Sequence, residues 1–130
     1  MNITESISTC YNKYFTFKGR ASRSEYWWFT LYATIGGIII NASLATIYGE
    51  PLMTIDPDTG LPTYTATYWI ALLMQLFVFD IPVISAMVRR LHDSGRSGWW
   101  WLINFTIIGI FFFIYWLVKS GDEDKNRYDI

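Results

Sequence analysis

A single cysteine, a single histidine and only four prolines occur in these 130 residues, and each scarcity excludes something. Cys10 alone cannot form an intramolecular disulfide or a cysteine-based metal cluster, and His92 has no second imidazole with which to hold a metal. No glycine-rich phosphate loop and no serine nucleophile elbow is present. Charge is sparse too. Charged residues make up 16% of the chain, against about 25% in ordinary globular proteins. The net charge is −1, so no polycationic surface suggests a nucleic-acid partner. The first 25 residues lack an apolar core followed by a small-residue cleavage site, so the first apolar run is expected to serve as an uncleaved anchor.

What the chain has instead is hydrophobic length: 52% hydrophobic and 19% aromatic residues, concentrated in three runs. A bilayer-crossing helix needs about 20 predominantly apolar residues. Residues 26–48, 68–88 and 99–118 meet that length and are apolar all round, without the polar stripe of a helix in a soluble bundle. The seven tryptophans (27, 28, 69, 99, 100, 101 and 116) lie near the ends of these runs, where aromatic belts form. The expectation is an all-α membrane protein: a single domain, residues 1–130, forming a bundle of three transmembrane helices. An amphipathic interfacial helix precedes them, because Ile3, Ile7, Cys10, Tyr14 and Phe17 recur at helical spacing in the arm of residues 1–25.

Lys and Arg set the orientation. Lys13, Lys18, Arg20 and Arg23 precede the first run, and Arg89, Arg90 and Arg96 lie in the loop of residues 89–98. The connection of residues 49–67 carries only Glu50, Asp56 and Asp58, with Pro57-Asp58-Thr59-Gly60 as a turn. By the positive-inside rule the N-terminus and the arginine loop are cytoplasmic. Three crossings would put the tail, residues 119–130, outside. A re-entrant third run bending near Gly109 would return it.

Three polar constellations interrupt this apolar background. Ser22-Arg23-Ser24-Glu25 fits a helix-starting capping box. Arg20, Arg23 and Glu25 sit at the same depth as Arg89, Arg90, His92, Asp93 and Arg96. Together they form a candidate polar face, serving either as a structural ion-pair network or as an anion-binding surface for lipid headgroups. Asp93 is placed to pair with Arg89, one turn earlier. His92-Asp93 invites a general-base reading, but neighbours on a helix point about 100° apart, so they form no natural dyad. The third constellation is intramembrane. Asp80 lies inside the second run at a cost of roughly 2.5–3.5 kcal/mol, with Asn41 or Asn104 as candidate partners and Pro82 as a candidate kink.

Phe17-Lys18-Gly19-Arg20 through Arg23-Ser24-Glu25-Tyr26-Trp27 resembles the opening motif of the YhaH/YhaI-like bacterial inner-membrane proteins. Arg89-Arg90-Leu91-His92-Asp93 with Ser97-Gly98-Trp99-Trp100, and Gly121 with Asn126-Arg127-Tyr128, are similar to that family's second and closing motifs. Asp124 and Asp129 depart from its usual glycines. The resemblance implies a small multi-span protein of the bacterial inner membrane and supplies no activity. The leading functional expectation is a non-enzymatic membrane protein, without cofactor, metal or catalytic residues, whose arginine face engages anionic lipid or a membrane-protein partner, with homo-oligomerisation possible. The alternative is a small transport or channel component using Asp80. A lipid-modifying enzyme using His92 and Asp93 comes third.

Overall fold

The computed structural model describes residues 1–129; Ile130, the end of the expected tail, lies outside them. The chain is mostly helical and divides into two compact units, Met1–Tyr32 with Ile81–Ile130, and Ala33–Asp80.

In the first unit, α1 (Ile3–Asn12) begins with a complete capping box. The Asn2 side chain accepts from the Glu5 amide at 2.9 Å, and the Glu5 carboxylate accepts from the Asn2 amide at 3.1 Å. Ser6 and Cys10 form its buried face. The arm is packed rather than free: Ser6 donates to the Glu25 carbonyl, Tyr11 meets Phe29 edge-on, and Ser85 donates to the carbonyls of Lys13 and Thr16. α2 (Arg23–Tyr48) then runs for 26 residues without a break. Ser22 accepts from the Glu25 amide, but the Glu25 carboxylate turns away to Arg89, so only half of the expected capping box forms.

The second unit holds the rest of α2, a short antiparallel hairpin of β1 (Met53–Ile55) and β2 (Pro62–Tyr64), and α3 (Ala66–Gln75). The hairpin departs from an all-α chain. Its turn is the Pro-Asp-Thr-Gly segment, where Asp56 accepts from the amides of Asp58 and Thr59 and Gly60 adopts a positive φ. α3 continues through one π-helical turn, Leu76–Asp80, into α4 (Ile81–Asp93), a helical stretch of 28 residues in all. Pro82 is two residues past that turn, next to a stretch where the helix has already given up regular α hydrogen bonding.

α2 and Ala66–Asp93 are long and apolar enough to cross a membrane, with mean hydropathies of 1.5 and 2.0. Only 11% and 28% of their most apolar windows are buried, so neither is the covered core helix of a soluble fold. The third apolar run corrects the expectation of a third spanning helix. A 3₁₀ segment, Gly98–Phe105, leads to an extended Thr106 and then to α5 (Ile107–Val118), which has 12 residues. At helical rise α5 is about 18 Å long, well short of a hydrocarbon core about 30 Å thick. Ser97 caps the first piece and Thr106 the second, and each cap marks a fresh helix start.

Burial is inverted relative to a water-soluble protein. Arg89 and Arg90 are 0% exposed, whereas Phe105 is 79% and Ile107 82% exposed. Such a surface is stable only against an apolar solvent.

Candidate functional site: a buried polar core in the first unit

The C-terminal half of α4 carries four polar side chains, Arg89, Arg90, His92 and Asp93, and the fold turns them inward. Arg89 forms a buried ion pair with Glu25 at the start of α2, the two side chains being 1% and 5% exposed. Its backbone carbonyl accepts from the Ala21 amide at 3.0 Å, which ties the same pair of elements together twice. Nε and Nη2 of Arg89 are buried without a partner. Cys10 lies beside this pair, and burial first, then the Glu25 carboxylate, raises its thiol pKa to about 11. It is a neutral packing group.

Arg90 makes four hydrogen bonds, three to carbonyls and one to a carboxylate. Nε donates to Leu117 at 2.9 Å, Nη2 to Lys119, and Nη1 to Asp93 and the Ala21 carbonyl. Leu117 and Lys119 stand at the C-terminus of α5, where free carbonyls and the negative end of the helix dipole favour a cation. The Trp27 indole donates to the same Leu117 carbonyl at 3.2 Å. Ser94 donates to the Trp116 carbonyl at 3.0 Å.

Asp93 is the hub. One oxygen accepts from Arg20 Nε at 2.8 Å and the other from Arg90, and its backbone carbonyl accepts from the Asp122 amide at 2.7 Å. Its expected partner, Arg89, is engaged by Glu25 instead, and Arg90 and Arg20 take its place. Gly121 sits so close to the Asp93 carboxylate that a Cβ there would overlap it. Arg20 also donates to the carbonyls of Asp122 and Asp124 and to Asp129 at 3.2 Å.

His92 faces the tail. Its Nδ1 bonds the Gly19 carbonyl at 2.9 Å, its ring stacks on Tyr128 with centroids 3.8 Å apart and planes 3° apart, and its carbonyl accepts from Asn126. The Asp93 carboxylate is held by Arg20 and Arg90 and the ring by Gly19, so His92 and Asp93 do not form a dyad. Arg96 lies over the Trp116 ring at 4.0 Å, a cation–π contact, with its Nε buried and unpartnered. Arg23 is exposed and outside this network.

The network has a topological consequence. Asp93 and Ser94 precede the third apolar run, Trp116 to Asp122 follow it, and the two stretches are joined by direct hydrogen bonds. The run therefore leaves and returns to one place. The structure brings Arg20, Glu25, Arg89, Arg90 and Asp93 of the expected face together and joins to them Asp122, Asn126, Tyr128 and Asp129, which the sequence reading left out. The polarity of the tail, Asp122 to Asp129, did not mark these residues, since a solvated tail would look the same.

Asp80 and Asn104, the expected intramembrane polar residues, are each bonded locally. Asp80 accepts from the Gln75 side chain at 3.1 Å, one π turn earlier. Asn41 donates to the Gly37 carbonyl and Asn104 to the Trp101 carbonyl. Each satisfies itself on its own helix. Among the described residues no group of three His, Cys, Asp or Glu side chains is placed to hold a metal.

Residues 14–130 match the family model described as "Protein of unknown function (DUF805)". The chain is 36% identical over 116 residues to "Inner membrane protein YhaI" of Escherichia coli (strain K12), covering 88% of this chain and 84% of that protein. It is 31% identical over 116 residues to "Inner membrane protein YhaH" of the same organism, covering 88% and 85%. "Uncharacterized protein YiiR" is 34% identical over 87 residues, 66% of this chain and 47% of that protein. No solved structure matches the chain.

Proposed function

This chain belongs to the DUF805 family, and we propose that it is a non-enzymatic inner-membrane protein whose cytoplasmic face engages anionic lipid headgroups. The printed names of YhaI and YhaH support the inner-membrane assignment. In this reading the chain crosses the bilayer twice, through α2 and Ala66–Asp93, and the third run is re-entrant. The N-terminal arm, the arginine loop and the tail then share the cytoplasmic side, in keeping with the positive-inside rule.

One observation carries the headgroup reading: the network divides the cations into two sets. Arg89, Arg90 and Arg20 are consumed internally, so the arginine loop is a clasp and not the headgroup surface. Lys18, Arg23, Lys125 and Arg127 remain exposed. Each basic residue near an anionic surface contributes about 1 kcal/mol, roughly fivefold in affinity. His92 is held by Gly19 and Tyr128, and Asp80 is paired locally with Gln75, so neither residue is the basis of this reading.

The test is lipid retention by the purified chain in mixed phosphatidylglycerol and phosphatidylcholine nanodiscs, read by native mass spectrometry. Lys18→Ala with Arg23→Ala is expected to lower the phosphatidylglycerol preference by about tenfold or more. An unchanged preference would contradict the headgroup reading.

A further inference from the structure

An apolar cavity of about 630 Å³ lies in the first unit, between Ile84, Met87 and Val88 of α4 and the rings of Trp99 and Trp101. His92 and Ser97 are its polar lining, and no charged side chain among the described residues lines it. Its size falls within the roughly 300–1,000 Å³ of ligand pockets, which are mostly apolar with a few placed polar groups.

The protonation of His92 decides what those groups accept. The Gly19 carbonyl can only accept, so the Nδ1 that bonds it carries the proton. Tyr128 covers one face of the ring. A neutral imidazole protonated at Nδ1 presents a bare acceptor at Nε2, and no hydrogen bond within the described residues reaches that atom. His92 is only 8% exposed, and it lines the cavity. Ser97 is the complement. Its oxygen accepts from the Trp99 amide at 3.4 Å, which leaves its hydroxyl proton to donate.

We propose that this cavity binds an uncharged, hydroxyl-headed lipid of the diacylglycerol class. An acyl chain lies along Ile84, Met87 and Val88, the lipid hydroxyl donates to Nε2 of His92, and a neighbouring ester carbonyl accepts from Ser97. A phosphate headgroup would bring a charge that no lining cation compensates. A headgroup offering only carbonyls would set acceptor against acceptor at Nε2. Trp99 and Trp101 put the site at headgroup depth, where the glycerol of such a lipid resides. The proposal rests on the membrane-embedded reading above and is independent of the anionic-headgroup surface.

The test uses the full chain in phosphatidylcholine nanodiscs, photolysed with a diazirine-bearing diacylglycerol and mapped by mass spectrometry. Labelling is expected on residues 84–88 and 99–101, and dioleoylglycerol is expected to compete at about a tenfold lower ratio than dioleoyl phosphatidic acid. His92→Asn keeps a donor for Gly19 and removes the group at Nε2. It is expected to cut labelling about tenfold. Ile84→Trp fills the cavity, leaves His92 in place, and is expected to do the same. Equal competition by phosphatidic acid, or undiminished labelling in Ile84→Trp or in a folded His92→Asn, would overturn the proposal. A diazirine phosphatidylcholine checks the embedding separately. If it labels α2 while the cavity stays unlabelled by the diacylglycerol, the proposal fails alone; if it does not label α2, the membrane reading fails.

Discussion

Arg89 and Glu25 show how much a single ion pair costs and holds at this depth. A buried pair that loses one partner leaves an uncompensated charge, typically a loss of 3–5 kcal/mol. Glu25→Gln is therefore expected to destabilise the chain by about that amount, read as thermal unfolding in detergent. The double change Glu25→Leu with Arg89→Met removes both charges and is expected to cost much less than the sum of the single changes. Additive losses would mean that the pair is not coupled. The sequence placed both residues at one depth because each ends an apolar run. It assigned Asp93 to Arg89 because helical spacing alone cannot see Arg20 arriving from 73 residues away.

At the scale of elements, the third apolar run is the instructive case. Hydropathy counts apolar residues, and a 20-residue run scores alike whether it spans or folds back. The break is legible only in small features. Thr106 caps α5 by accepting from the Gly109 amide at 3.0 Å, and Gly109 lies against the Ile103 carbonyl and the Thr106 hydroxyl, where a Cβ has no room. Sequence reading put the alternative bend near Gly109. The structure puts the extended residue at Thr106, with Gly109 allowing the close approach. Gly109→Val is expected to open this hairpin, release the tail and expose residues 119–129 to protease in detergent. Protection equal to that of the parent chain would show that the close approach is not needed. Gly121→Ala acts at the other end, where its Cβ meets the Asp93 carboxylate. It is expected to free the tail without disturbing α2.

For the molecule as a whole, the inverted surface and the two long apolar helices were readable from composition and spacing. Membrane solvation acts on every residue of a run and leaves a long signal. The polar core was readable in part, since its members from the arm and α4 lie beside apolar runs. Asp122, Asn126 and Tyr128 were not, because a polar tail after a hydrophobic run looks the same whether it clasps a core or hangs in solvent. The two-unit division and the short hairpin of residues 53–64 were also invisible, being set by tertiary contacts rather than by any periodicity.

The central claim is that the third run returns, so that the tail closes on Asp93 on the same side as the N-terminal arm. In a Cys10→Ser background, Thr59→Cys and Ser120→Cys each place one thiol at an exposed position. A membrane-impermeant maleimide is added to intact spheroplasts and again after lysis. Thr59→Cys is expected to react in intact spheroplasts, and Ser120→Cys only after lysis. Reaction of Ser120→Cys from outside would contradict the claim, because a tail on the outer side cannot hydrogen-bond to Asp93 or reach Arg20.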